Sequence, residues 1–177
     1  MTPKSLQSRL KIAKNAKFGS TDTMNSKVST CLWFNGNGVE AAQFYTSLIP
    51  NSSIKTDLTT NEAPLIVEFT LDDVPYQALN GGPNFQFNEA ASIVVETEDQ
   101  AETDKLWQAL TADGGQESMC GWLKDKFGLS WQIVPRPVIK LLNSDDKASA
   151  ERAMNAVLTM KRLVIADIEK AAFSNDD

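Results

Sequence analysis

One pattern constrains this chain more than any other: a strand-helix-strand-strand-strand order is written twice. In the first copy, residues 29–34 (Ser-Thr-Cys-Leu-Trp-Phe) are apolar and β-prone, which predicts a buried strand. Asn35-Gly36-Asn37-Gly38 breaks it. A helix over about 38–48 follows, with Ala41, Phe44, Tyr45 and Leu48 on one face. Asn37 is its predicted N-cap and Glu40 completes a capping-box spacing. Strands are predicted at 53–58, 64–71 and 74–79, the last two joined by a short turn at Asp72-Asp73. Asn80 to Asn88 reads as a loop.

The second copy has its strand at 91–97, its helix at 99–111 and a glycine stop at Asp113-Gly114-Gly115. Short strands follow near 116–119, 121–124 and 129–134. Phe44-Tyr45 matches Leu106-Trp107, and Pro75-Tyr76-Gln77-Ala78 matches Ser130-Trp131-Gln132-Ile133, offsets of roughly 55–62 residues. Two such units exclude a doubly wound parallel fold. They predict an α+β protein: two tandem βαβββ modules (28–88 and 89–137) forming a curved, mixed, mostly antiparallel sheet around a cavity. Residues 138–177 extend the same domain. Pro135-Arg136-Pro137 ends the last strand, and Val138 to Leu142 is short and apolar. Helices follow over about 146–159, capped by Ser144-Asp145-Asp146, and 163–173. Their apolar stripes read as core or dimer packing.

The chain contains no histidine, which removes Ser-His-Asp and Cys-His catalysis and every imidazole metal site. At 177 residues it is long enough to bury a core without disulfides, and it has only two cysteines. A net charge of -6 argues against nucleic acid, which wants a basic stripe. No run is apolar enough over its length for a membrane span. The charge is uneven: residues 1–27 carry six bases against Asp22 alone. That segment lacks a secretory core and reads as a disordered leader, or as sequence ahead of a true start at Met24. The alternative is a mitochondrial targeting peptide. Cytoplasmic location is the expectation, since few cysteines suit a reducing compartment.

Several strings resemble the vicinal-oxygen-chelate superfamily of glyoxalases and extradiol dioxygenases. The likeness is greatest to its PhnB-like branch, the 3-demethylubiquinone-9 3-methyltransferase domain proteins. The strings are Leu32-Trp33-Phe34-Asn35-Gly36-Asn37 with Glu40 to Tyr45, Leu79-Asn80-Gly81-Gly82-Pro83, Phe85-Gln86-Phe87-Asn88-Glu89-Ala90, and Cys120 to Pro135. Met160-Lys161-Arg162 also fits, so the resemblance spans roughly residues 28–172. In metal-using relatives, the first and last strand of each module present one ligand each, usually His or Glu. The resemblance places those four positions at Thr30, Gln77, Ser92 and Gln132. All four are neutral, and a divalent cation leaving water wants anionic or imidazole ligands. The expectation is therefore no metal and no other cofactor. No glycine-rich strand-to-helix turn with an acid about twenty residues later is identified, so the methyltransferase label lacks a nucleotide motif.

Each further candidate has two readings. Gln77 and Gln132 either bond a polar ligand or form satisfied buried amides. Trp33, Trp122, Trp131, Phe85 and Phe87 either line a pocket or fill the core. Asn80 either touches ligand or serves its turn. Cys120, near Lys124 and Lys126, is either an activated or an inert thiol. Lys124 and Asp125 either anchor substrate or sit in a solvated hairpin. No catalytic residue is identified. The leading reading is a homodimer that binds a small molecule in a metal-free cavity. The alternatives are a metal-dependent lyase, isomerase or dioxygenase, and a structural or interaction module with a closed cavity.

Overall fold

The computed structural model describes residues 27–174. The expected leader, but for Lys27, lies outside the described residues. The first repeat forms β1 (Thr30–Phe34), α1 (Gly38–Leu48), β2 (Ser53–Ile54), β3 (Ile66–Leu71) and β4 (Val74–Asn80). The second forms β5 (Ser92–Thr97), α2 (Gln100–Thr111), β6 (Gln116–Glu117), β7 (Trp122–Lys124) and β8 (Ser130–Pro135). Each repeat builds its own four-stranded sheet, in the orders β1-β4-β3-β2 and β5-β8-β7-β6. In both, the first strand runs parallel to the last and the remaining pairs are antiparallel. A parallel pair needs a long crossover, which the helix and the middle strands supply. Neither sheet closes into a barrel. The chain divides into two compact units, one ending at Phe85 and one beginning at Gln86.

In the first unit, α1 buries Ala41, Ala42 and Tyr45, and the sheet buries Leu32, Phe34, Val67, Phe69 and Ala78. The Tyr45 and Phe69 rings lie 6.5 Å apart. The β3–β4 turn is the two-residue hairpin the sequence predicts. Asp72 and Asp73 both have positive φ (45° and 61°), the hand that matches strand twist.

The cap of α1 departs from expectation. Asn37 makes no side-chain cap bond. Instead Asn80, at the end of β4, accepts from the Gly38 N–H at 2.8 Å through Oδ1 and donates to the Pro64 carbonyl at 2.8 Å through Nδ2. A Cβ on Gly38 would stand 2.8 Å from that Oδ1, so glycine is what lets the remote amide reach in. In the second unit two helices have local caps. Asp99 accepts from Glu102 N at 2.9 Å, and Asp146 accepts from Ala148 N and Ser149 N.

The tail holds one helix more than the sequence reading. Residues Arg136–Leu142 form α3, because Pro137 in a first turn lacks only an N–H that would go unused. Then come α4 (Lys147–Thr159) and α5 (Ile165–Phe173). Val138, Ala153, Val157, Leu163, Ile168 and Ala172 close into one core cluster, whereas Met154 and Leu158 of the same stripe and Phe173 are exposed. The last helix begins at Ile165 rather than Leu163. Gln100 accepts from Ile165 N at 2.8 Å and donates to the Leu163 carbonyl at 3.1 Å, a second remote amide cap.

Glu117 ties this unit together at the surface. It accepts from the Trp107 indole at 2.8 Å and from Lys161 at 3.4 Å. The indole hydrogen bond first, with Lys161 adding to it, holds the carboxyl below its ordinary 4.5. A depressed carboxyl contributes stability above its unfolded value and loses it as pH falls through the folded one. Glu117→Gln keeps an acceptor for Trp107 but removes the titration. Thermal melts are expected to show a flatter acid limb for the variant below about pH 4.5, with little change at neutral pH. Parallel acid limbs would assign the loss to other carboxylates.

Candidate functional site

Strand alternation decides which residues share the sheet face away from each helix. In β1, Leu32 and Phe34 are buried on the helix side, and Thr30 falls in step with them. Cys31 and Trp33 take the open face, paired with Gln77 and Leu79 of β4. The expected place of Thr30 on that face is therefore corrected to Cys31. A one-residue slip turns every side chain over, and the apolar string 31–34 does not reveal its phase. Glu68 of β3 stands beside Gln77 on the same face and carries no sequence signal of its own.

In the second sheet, Trp131 and Ile133 are fully buried on the helix side, in register with Ile93 and Val95. Ser92, Val94, Ser130, Gln132, Trp122 and Lys124 share the open face. The structure thus joins Ser92, Gln132, Trp122 and Lys124 on one surface. Gln132 Nε2 donates to Ser92 Oγ at 2.8 Å. Lys124 pairs with Glu89 at 2.5 Å, a partner not singled out from sequence. The Lys124 hydrogen bond lowers the Glu89 carboxyl below its usual value. Ser130 lies in the row between Ser92 and Lys124. Its hydroxyl is buried and has no hydrogen-bond partner among the described residues. Phe34 with Asn80, and Thr97 with Pro135, close the two parallel pairs. Aligning those ends makes Gln77 equivalent to Gln132, and Cys31 equivalent to Val94.

Other candidates have different work. Trp33 donates to the Gly82 carbonyl at 2.7 Å and meets Phe85 edge-on at 4.8 Å. A Cβ on Gly81 would come within 2.3 Å of the indole, so this glycine gives the ring its seat. Phe85 is nonetheless 61% exposed, and Phe87 is half-buried. Asn80 serves as the remote cap of α1. Cys120 packs against the C-terminal core cluster. Asp125 is not in a solvated turn: it is buried and accepts from Phe127 N, Leu129 N and Trp131 Nε1 at 2.8, 3.0 and 2.9 Å. Trp131 is core.

The donor chemistry of the two faces does not fit a divalent metal. The first face offers the Cys31 thiol, the Gln77 carboxamide and a single carboxylate, Glu68, and the second offers two hydroxyls and the Gln132 carboxamide; burial pushes the Cys31 thiol above its ordinary value. Among the described residues, no three of His, Cys, Asp or Glu gather closely enough to hold a cation. Nucleotide binding meets a different obstacle. Gly36-Asn37-Gly38-Val39-Glu40-Ala41 does carry a dinucleotide-like spacing, with Asp57 about twenty residues on, which corrects the sequence reading. The topology cancels it. A dinucleotide fold sets the next strand parallel beside the first, whereas β2 lies at the far edge, antiparallel to β3. The Gly38 N–H is also already taken by Asn80, and Asp57 accepts from Thr59 in its own loop.

Residues 26–134 match the family model described as 3-demethylubiquinone-9 3-methyltransferase. No curated protein matches. Among solved structures, the chain is similar to the PhnB protein of Bacillus cereus, itself named only as a candidate 3-demethylubiquinone-9 3-methyltransferase. That match has 31% identity and a TM-score of 0.53 over 62% of this chain and 99% of that one. Protein PA1353 of Pseudomonas aeruginosa shares the fold, at 20% identity and a TM-score of 0.52 over 63% of this chain and 98% of that one. With the family's sequence running from Leu32-Trp33-Phe34 to Gln132-Ile133-Val134 and its paired modules in place, this chain belongs to the 3-demethylubiquinone-9 3-methyltransferase family, the PhnB-like branch of the vicinal-oxygen-chelate superfamily.

Proposed function

We propose that the chain binds a small polar molecule with an anionic end, without a metal, on the open face of its second sheet. One observation carries this reading. A hydrogen-bonded Gln132–Ser92 pair, an unmatched buried Ser130 hydroxyl and the Lys124 ammonium lie side by side next to Trp122. The amide and hydroxyls supply neutral donors and acceptors, the indole supplies an apolar wall, and Lys124 supplies the one positive charge of the row. Its present partner, Glu89, is mostly exposed, so that ion pair is weak and a ligand carboxylate exchanges for it at small cost. The Ser130 hydroxyl is closed to solvent, so a ligand oxygen reaches it only where a neighbouring side chain moves aside.

The test is calorimetric titration with a panel of small carboxylic acids and their amides. A hit is expected to weaken about tenfold in Gln132→Ala, the loss of one hydrogen bond of ordinary strength. It is expected to tighten in Glu89→Gln, which frees Lys124. A hit indifferent to both variants binds elsewhere and overturns the reading. One divalent metal per chain that survives purification and is lost in Gln132→Ala would favour a metal-dependent lyase, isomerase or dioxygenase instead. No binding across the panel would favour an interaction module. A homodimer completes the proposal, because β1 and β5 each end a sheet and leave an edge to be covered; two free cysteines support a reducing compartment such as the cytoplasm. A monomer mass at all concentrations would remove the dimer. Among the described residues, no helix is long and apolar enough to cross a membrane.

A further inference from the structure

The chain contains three Asn–Gly pairs: Asn35-Gly36, Asn37-Gly38 and Asn80-Gly81. We propose that Asn35 is a site of spontaneous covalent modification, converting to aspartate and isoaspartate, while the fold locks the other two. In this reaction the glycine main-chain nitrogen gives up its proton to solvent and attacks the Cγ of the preceding asparagine. The new N–Cγ bond forms, the bond from Cγ to the side-chain nitrogen breaks, and ammonia leaves. Water then opens the five-membered imide at either carbonyl, leaving aspartate or its β-linked isomer. Glycine favours the step because the nucleophile carries no Cβ and its backbone turns freely. Three things are needed: a glycine N–H not held in a hydrogen bond, a free carboxamide, and room to close the ring.

Asn35-Gly36 meets all three. Both residues are exposed, in the turn between β1 and α1. Among the described residues, neither the Asn35 carboxamide nor the Gly36 N–H has a partner. Gly36 has φ +89°, and no atom lies within 4 Å of where a Cβ would stand. Asn37-Gly38 fails on the nucleophile. Its carboxamide makes no cap bond, but the Gly38 N–H donates to Asn80 at 2.8 Å and Gly38 is buried at the start of α1. Asn80-Gly81 fails on both partners. The Asn80 amide is held at its oxygen by Gly38 and at its nitrogen by Pro64, and the Gly81 N–H donates to the Leu79 carbonyl at 2.9 Å. One dipeptide in three settings therefore gives one reactive and two protected sites.

The products differ in consequence. Aspartate at 35 adds a negative charge just ahead of α1, where the helix dipole welcomes it. Isoaspartate adds a backbone carbon to the turn and shifts the start of the helix relative to β1.

The test ages the native full chain at mildly alkaline pH, digests it in mild acid and reads each asparagine from fragment-ion masses. Asn35 is expected to convert about tenfold or more faster than Asn37 and Asn80, the factor one retained hydrogen bond supplies. In urea the three are expected to converge. Gly36→Ala is expected to slow Asn35 alone. Asn80→Ala releases the Gly38 N–H and is expected to speed Asn37 in the folded protein. Asn37 or Asn80 keeping pace with Asn35 in the native chain overturns the proposal, as does an Asn35 that converts in urea but not when folded.

Discussion

Asp125→Ala is expected to lower the unfolding free energy by about 3 kcal/mol, as two buried donors lose their acceptor at roughly 1–3 kcal/mol each and a third, half-buried, loses less because water reaches it. The carboxylate is 3% exposed and holds the β7–β8 turn from inside. One oxygen takes Phe127 N and Leu129 N, and the other takes the indole N–H of Trp131, the largest fully buried side chain of the core. Gly128, with φ +85°, turns the chain so that Leu129 N can face back to the same oxygen. The alanine variant leaves the Leu129 N–H and the Trp131 indole buried without an acceptor and frees the indole from its anchor. A fall in thermal midpoint of roughly 10 °C is the expected reading for a chain of this size. Asp125→Asn should fall between: its oxygen still serves the two amides, but its NH2 group meets the Trp131 N–H donor to donor. Equal stability of the asparagine variant and the parent would mean the Trp131 bond contributes nothing. An alanine variant within about 1 kcal/mol of the parent would mean that water fills the site.

Gly121→Ala is expected to cost about 3 kcal/mol, against roughly 1 kcal/mol for Gly36→Ala. The two glycines have similar backbones, φ +80° and +89°, so both substitutions carry the left-handed penalty. Only Gly121 adds a collision. Its Cβ would stand 2.8 Å from the Ile133 carbonyl oxygen and 3.3 Å from the Leu163 side chain. Neither neighbour yields easily. The Ile133 N–H is bonded to the Gly121 carbonyl at 2.8 Å, and Leu163 belongs to the C-terminal core. The same segment ties the tail to the sheet, since Cys120 N and Gly121 N donate to the Met160 and Lys161 carbonyls at 2.7 Å each. Chemical denaturation of the two variants separates the terms: the difference between them is the collision, and equal losses would leave only the backbone penalty.

Much of this architecture was legible from residue order. The apolar string 29–34, the Asp72-Asp73 turn, the Asp146 cap and the matched pairs Tyr45 with Trp107 and Gln77 with Gln132 rest on local periodicity and turn chemistry. Those signals act over a few residues and survive into the fold. Charge gave less help, because Lys124 and Asp125 are neighbours with opposite fates. Lys124 lies on the open face with Glu89, and Asp125 turns inward to three donors. Asp125 stands just past the end of β7, in the turn, and the donors that draw it inward meet it only once Leu129 and Trp131 are folded back against it.

Residue order by itself determined that the chain builds two βαβββ modules, that histidine chemistry is closed to it, and that its candidate ligand positions are mostly neutral. The tertiary structure alone decided that Cys31 rather than Thr30 faces out, that Asn80 and Gln100 cap helices far from them in sequence, and which Asn–Gly pair is free to react. The physical reason is the range of the forces. Propensity and turn geometry are local, whereas register, remote caps and burial arise from partners 42 to 65 residues away that meet only when the chain is folded.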